Sequence, residues 1–269
     1  MAIGVVAGTL CVLSSVAWPI AWLGLELNLI CFVPLVIKEE SLKKTCMLYF
    51  VTQSIGSLLI VAAGLLTDFN SWLQVLLLFG LVLKMGAMPI HFWVPIVVPR
   101  LRNLGVYTIQ TWQKVAPFGL IIFVVVNKEL LSLLNVWIGA FSIGAMSAPI
   151  IVVIFSGIVQ IGWIFSISSG LLWWFIIIYF IVIRPVVKYI KTNSGNFRLA
   201  LINGGGLPPF TGFVIKLNAV KTLSSKIGAL MIAGRGVALL SYTRTLLNLG
   251  YQKDKLSRLV LLRMVAGIV

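Results

Sequence analysis

Acidic residues are scarce: six Asp and Glu stand against 21 Lys and Arg in 269 residues, with one His and three Cys. Each scarcity excludes something. One histidine cannot build a metal centre. Cys11, Cys31 and Cys46 are widely spaced, with no CxxC or Cys/His pairing, so no metal site is expected and they read as buried thiols outside any disulfide framework. Only 10% of the residues are charged while 60% are hydrophobic, and the mean hydropathy is +1.10. A soluble domain could not cover that much apolar surface, which excludes a soluble globular fold. The net charge of +15 points to no nucleic-acid partner, because the Lys and Arg residues fall in short clusters between apolar runs and form no basic face. The first apolar run lacks a charged leader segment and a small-residue cleavage pattern, and it is read as a retained helix.

What is present is a succession of apolar runs. Backbone groups in lipid must pair within their own segment, and continuous apolarity excludes the alternation of barrel strands, so the runs are helices. Charged and Gly/Pro breaks place them near 2–17, 19–37, 46–66, 72–92, 104–126, 129–146, 148–167, 170–190, 198–220, 227–249 and 256–269. The expected fold is therefore an all-α polytopic membrane protein of about eleven transmembrane helices. With that count the loops after helices 2, 4, 8 and 10 share one side and carry Lys38, Lys43, Lys44, Arg100, Arg102, Lys188, Lys191, Arg198, Lys253 and Lys255. The other side has little beyond Lys128, Lys221 and Lys226. Because basic loops stay on the negative side of the membrane, cytosol or matrix, the N-terminus is expected there and the C-terminus opposite.

Five of the acids, Glu39, Glu40, Asp68, Glu129 and Asp254, fall at expected span ends or loops. Glu26 lies mid-span in WLGLELNLICFVP, where an unpartnered carboxylate would cost roughly 2.5–3.5 kcal/mol on insertion scales. It reads either as a functional carboxylate or as one that is protonated or bonded between helices. Lys84 precedes Pro89, Lys114 precedes Pro117, and Lys216 follows the Pro208–Pro209 pair. Proline removes a backbone donor and frees a carbonyl, so the opened turn needs polar partners or water, and a lysine beside it can be hydrated and exchange a proton. Snorkelling to a span end is the plainer reading, and it applies most to Lys114. One Glu and several Lys on different helices are the parts of a proton relay, with Glu26 and Lys84 as the coupled pair. His91, two residues after Pro89, reads either as a proton acceptor near that break or as an interfacial hydrogen-bonding group.

Gly204–Gly206 lacks the Gly-Lys-Ser/Thr of a phosphate loop and opens an apolar helix, so it reads as a site of packing or flexing in a discontinuous helix. Trp93, Trp112, Trp173 and Trp174 read as interface or packing residues. The fourth and ninth spans both combine a proline interruption with a buried lysine and lie five spans apart. An odd repeat length forces opposite orientation, so the single membrane domain, 1–269, is expected to hold two inverted five-helix repeats with discontinuous helices, 1–126 and 127–250, and a C-terminal helix, 251–269.

At these same segments the chain resembles NADH:ubiquinone oxidoreductase chain 2, the antiporter-like subunit of respiratory complex I. The matching stretches are GLELNLICFVP, YFVTQSIGSL, LKMGAMPIHFWVP, TWQKVAPFGL, the short IGW at 161–163, and GGGLPPFTGFVIK. The resemblance implies an antiporter-like fold with proton-transfer groups at Glu26, Lys84, Lys114 and Lys216. It also implies the mitochondrial inner membrane, with the N-terminus on the matrix side and the C-terminus facing the intermembrane space. Its partners would be other membrane subunits of complex I, including neighbouring antiporter-like chains, and lipids. This chain itself would hold no cofactor, NADH, FMN, iron–sulfur clusters and ubiquinone being handled by other subunits. The chain departs from the family after HFWVP, where Ile96, Arg100 and Arg102 replace a Glu and a polar loop, and over 148–160, where APIIVVIFSGIVQ replaces a polar, basic loop. Two other readings are open: a subunit of a secondary cation/proton antiporter, and a membrane scaffold that pumps nothing.

Overall fold

The computed structural model describes residues 1–36, 43–66, 71–124, 128–146, 148–167, 169–190, 195–207, 210–221 and 223–248. All regular structure among them is helical. The chain divides into two compact units, Met1–Asn127 and Lys128–Val269.

The first unit contains α1 (Ala2–Ser14), α2 (Trp18–Val36), α3 (Lys43–Gly64), α4 (Ser71–Met85), α5 (Trp93–Val97), α6 (Asn103–Gln110) and α7 (Trp112–Leu120). Apolar side chains with small residues between them let these helices lie close. A Cβ added at Gly80 would stand 3.0 Å from Gly56 O, and one at Gly56 would meet Lys84 Cγ at 2.8 Å. The bare backbone at Gly56 is thus what allows the aliphatic stem of Lys84 to lie flat against α3. Phe32, Tyr49 and Trp93 join α2, α3 and α5 through ring contacts of 5.5 and 5.6 Å, and all three rings are buried.

The second unit contains α8 (Glu129–Ala145), α9 (Pro149–Ser166), α10 (Ser169–Tyr189), α11 (Gly195–Gly205), α12 (Thr211–Lys221) and α13 (Ser225–Asn248). Helix α8 packs on α9 and α13, while α10 packs on α11 and α12. Trp163, Phe197 and Ile154 are buried in this unit.

Among the described residues, three helices are long and apolar enough to cross a membrane by length and composition: Lys43–Gly64, Pro149–Ser166 and Gly170–Tyr189. Ala2–Ser14, Trp18–Pro34, Trp72–Met85 and Glu129–Ala145 are shorter apolar helices. Several expected spans are interrupted. The expected helix over 72–92 stops at Met85 and resumes at Trp93, because Gly86 turns the backbone to φ +66° and Pro89 follows in the linking segment. The span over 104–126 is two helices, and its interruption falls at Thr111, with φ −119° and ψ −82°, rather than at Pro117. Pro117 sits inside α7, where its fixed φ fits a helix. Beyond the first turn of α7, its missing N–H leaves Gln113 O without the helical donor it would otherwise have. Pro34 and Pro185 likewise stay inside α2 and α10. The span over 198–220 divides into α11 and α12 around Gly206, φ +83°. The Pro208–Pro209 pair and the expected helix 256–269 lie outside the described residues.

Candidate functional site

Each unit buries lysine, two in the first and one in the second among the described residues, which is uncommon for a side chain almost never taken out of water without a partner. Lys84, Lys114 and Lys216 retain 6%, 5% and 3% of their exposure.

Lys84 occupies the last turn of α4, two residues before Gly86. The carbonyls released by the interruption are capped by neutral donors. Trp93 Nε1 donates to Leu83 O at 3.0 Å, and Gln53 Nε2, from α3, donates to Lys84 O at 3.1 Å. The lysine side chain lines a cavity of about 10 Å³ together with Asn28, Tyr49, Gln53, Gln113 and Pro117, at the lower limit of the room that one water needs. Glu26, half-buried on α2, acts electrostatically on Lys84 and accepts a hydrogen bond from Ser57 Oγ on α3. This is the carboxylate and lysine combination expected from the sequence, with Ser57 as a third member that sequence reasoning did not single out.

Lys114 stands in the first turn of α7. Its Nζ donates to Gln110 Oε1 at 2.7 Å, across the interruption at Thr111. The neighbouring Gln113 reaches α2, donating to Asn28 Oδ1 at 3.0 Å. Asn28 and Gln113 both line the Lys84 cavity, so polar groups of α2, α3, α4 and α7 converge there. His91 lies in the segment between α4 and α5, where Nδ1 is 3.3 Å from Pro89 O, and it is not among the residues lining the cavity.

Lys216 is placed differently. It belongs to α12 and reaches back to the C-terminal end of α11, donating to Gly204 O at 3.0 Å and Gly205 O at 3.1 Å. Such ends carry unsatisfied carbonyls and the negative pole of the helix dipole, which favour a cation. Gln160 Nε2, from α9, also donates to Gly204 O at 3.0 Å. Arg235, from α13, donates through Nη2 to Gly206 O and lies over the Phe213 ring with its Cζ 4.9 Å from the centroid. The Trp163 ring centroid is 5.9 Å from Lys216 Nζ. The N-terminus of α12 is fastened to α11 by Asn203 Oδ1, which accepts from Gly212 N at 3.2 Å. A cavity of about 20 Å³ beside Lys216 is lined by Gln160, Tyr179, Gly204 and Gly212 among others, and it shares Phe175, Ile178 and Ile215 with an apolar groove of about 290 Å³ between α10 and α12.

Gln53, Gln110, Gln160 and Arg235 are site residues that the sequence reading missed. Arg235 carried a usable signal, an arginine in the middle of an expected span. The glutamines carried none, since a neutral amide among apolar residues does not say which carbonyl it will cap.

The chain is 32% identical over 302 residues to NADH-ubiquinone oxidoreductase chain 2 of Anopheles gambiae, covering 92% of this chain and 85% of the relative. The chain belongs to the NADH-ubiquinone oxidoreductase chain 2 family. No family model matches it. The fold is shared with chains of solved assemblies. A chain of respiratory complex I from Thermus thermophilus superposes with a TM-score of 0.77 at 17% identity, over 98% of this chain and 74% of the other. A chain of the Mrp complex from Dietzia sp. DQ12-45-1b superposes at 0.72 and 17% identity, over 99% of this chain and 59% of the other. For this NADH-ubiquinone oxidoreductase chain 2 family member, the fold is thus all-helical and of the kind found in those complexes.

Proposed function

We propose that this chain is a proton-translocating membrane subunit of NADH:ubiquinone oxidoreductase, respiratory complex I. It moves protons through Glu26, Lys84, Lys114 and Lys216 while NADH, FMN, iron–sulfur clusters and ubiquinone do their chemistry in other subunits. The chain acts in the mitochondrial inner membrane as about eleven spans forming two inverted five-helix repeats, with its N-terminus on the matrix side. Other membrane subunits of the complex, antiporter-like chains among them, and lipids surround it. Family membership supports the assignment to the complex. The observation that carries the transport reading is the burial of a lysine at each helix interruption, in surroundings built from neutral amides, carbonyls and one carboxylate.

That construction suits proton exchange. An ammonium has three donors and the neutral amine two. Lys216 makes two bonds, to Gly204 O and Gly205 O, so both geometries persist whether or not the third proton is present. At Lys84 the carbonyls are satisfied by Trp93 and Gln53, which leaves the amine to respond to Glu26 and the polar cavity. The test is the complex carrying Lys84→Met, reconstituted in proteoliposomes, with proton uptake and NADH oxidation measured separately. Pumping is expected to fall severely in an assembled complex. Undiminished pumping per NADH would overturn the relay and favour a scaffold.

The fold shared with a chain of the Mrp complex supports a second reading, a subunit that exchanges a metal cation for protons. It predicts that sodium or potassium competes with protons, whereas the first reading predicts indifference.

A further inference from the structure

Three consecutive carbonyls, Gly204 O, Gly205 O and Gly206 O, face side-chain donors from three helices: Gln160 of α9, Lys216 of α12 and Arg235 of α13. Exposed carbonyls at the end of a half-helix form the oxygen set with which membrane transporters hold dehydrated sodium. In this unit the set is arranged against such an ion. Gly206 O is taken by a guanidinium, which does not lose its proton, and Gly204 O is taken by an amide N–H as well as by the lysine. Among the described residues no acid is bonded to the three carbonyls or their donors: over residues 128–269 the sequence holds two acids, Glu129 at the start of α8 and Asp254, which lies outside the described residues.

We propose that Arg235 is a specificity-determining residue that makes this carbonyl cluster exclusive to protons, by holding Gly206 O and fixing a permanent positive charge where a metal ion would need oxygen ligands. The inference rests on the relay reading of Lys216. Lys216 is tied to the cluster covalently, so folding holds its charge beside that of Arg235. A free alkali ion has no such tether and stays in water. The site can therefore change its charge by proton exchange on the Lys216 nitrogen, whereas a metal ion gains too few ligands to enter. Phe213 under the guanidinium and Gly206 before it fix Arg235 in place, so the exclusion belongs to the fold and not to a mobile side chain.

The experiment is proton pumping per NADH oxidised by the reconstituted complex, with sodium replacing choline at constant ionic strength. Unsubstituted complex and Arg235→Lys are expected to pump equally in both salts. Arg235→Gln, which exchanges the fixed charge for an amide oxygen, is expected to pump in choline and lose pumping several-fold in sodium. Sodium inhibition of pumping by the unsubstituted complex would overturn the proposal, and that arm decides even where Arg235→Gln fails to assemble. Arg235→Gln that pumps equally in both salts, or that fails equally in both, would also overturn it. The relay reading fails separately, if Lys216→Met alone pumps at full rate in choline.

Discussion

Lys84 and Lys216 are buried to a similar degree beside interrupted helices, yet the two units stabilise them by different means. Around Lys84 the carbonyls of the interruption are closed by an indole and a carboxamide, and the charge of the lysine is answered by Glu26 on another helix. Around Lys216 the lysine closes the carbonyls itself, a second cation closes the next one, and the negative pole of α11 takes the part of a carboxylate. The difference teaches that a buried amine needs negative potential and does not specifically need an acid. On the proposed relay, proton movement at Lys84 would be coupled to a second titratable group, whereas at Lys216 it would be measured against fixed charges and dipoles.

That contrast predicts its own largest effect. In a double-mutant cycle of Glu26→Gln and Lys84→Met on pumping, the two changes should be strongly non-additive, with a coupling of about 1–3 kcal/mol, because the groups act as one pair. The equivalent cycle of Glu129→Gln with Lys216→Met should show no coupling, since the exposed Glu129 begins α8 and is not part of the carbonyl cluster. Additivity in the first cycle, or coupling in the second, would erase the distinction between the units.

The next effect concerns the two interruptions. Gly86 and Gly206 both adopt positive φ, so alanine at either should cost about 1–2 kcal/mol of backbone strain. Their surroundings separate them. A Cβ at Gly206 would stand 2.8 Å from Gly212 O, a backbone atom that cannot move without shifting α12, whereas a Cβ at Gly86 would meet the methyl of Val94. Gly206→Ala is therefore expected to lower the thermal stability of the complex further than Gly86→Ala. Pairing Gly86→Ala with Val94→Ala should recover part of the loss, and thermal inactivation of NADH-driven pumping reads both.

Much of this arrangement was legible in the sequence, and the reason is cost. An ionisable residue in an apolar run is expensive enough to announce itself, which is why Glu26, Lys84, Lys114 and Lys216 could be picked out from 269 residues. The turn at Gly86 and the division around Gly206 lay near prolines that could also be read. The interruption at Thr111 could not, because no glycine or proline stands at Thr111 to mark it. Pro117 drew attention to the wrong side of Lys114 for the complementary reason: a proline is conspicuous in sequence, but a helix that begins at Trp112 accommodates it. The capping amides stayed hidden since their partners are backbone atoms 31 and 44 residues away.

Those amides give a smaller, more exacting comparison. Interhelical hydrogen bonds in membranes average about 0.6 kcal/mol and reach about 1.7. Gln160→Leu removes one of two donors to Gly204 O, and Lys216 still satisfies that carbonyl, so stability should fall by about 0.6 kcal/mol or less and pumping should persist. Gln53→Leu removes a buried donor to Lys84 O and also deletes a polar wall of the cavity beside Lys84, so its cost should approach the upper value and pumping should slow. Equal effects of the two changes on pumping would mean that the amides serve only as caps.

The smallest expected effect is at Ser57. Its single hydroxyl proton has two acceptors within reach, Glu26 Oε1 and Ser54 O, and Gln53 on the same helix caps Lys84 O, so α3 holds both members of the pair from one side. Ser57→Ala leaves the helix intact, because serine in a helix interior contributes little, and it removes one hydrogen bond to the carboxylate. If that bond only orients Glu26, pumping should fall modestly while the Glu26/Lys84 coupling survives in the Ser57→Ala background. If the hydroxyl is a proton-carrying link between Glu26 and its neighbours, the coupling should shrink along with the rate, and Ser57→Thr should restore both because it returns the hydroxyl. The residue at the edge of the pair thus distinguishes a carboxylate that is merely held from one that is connected.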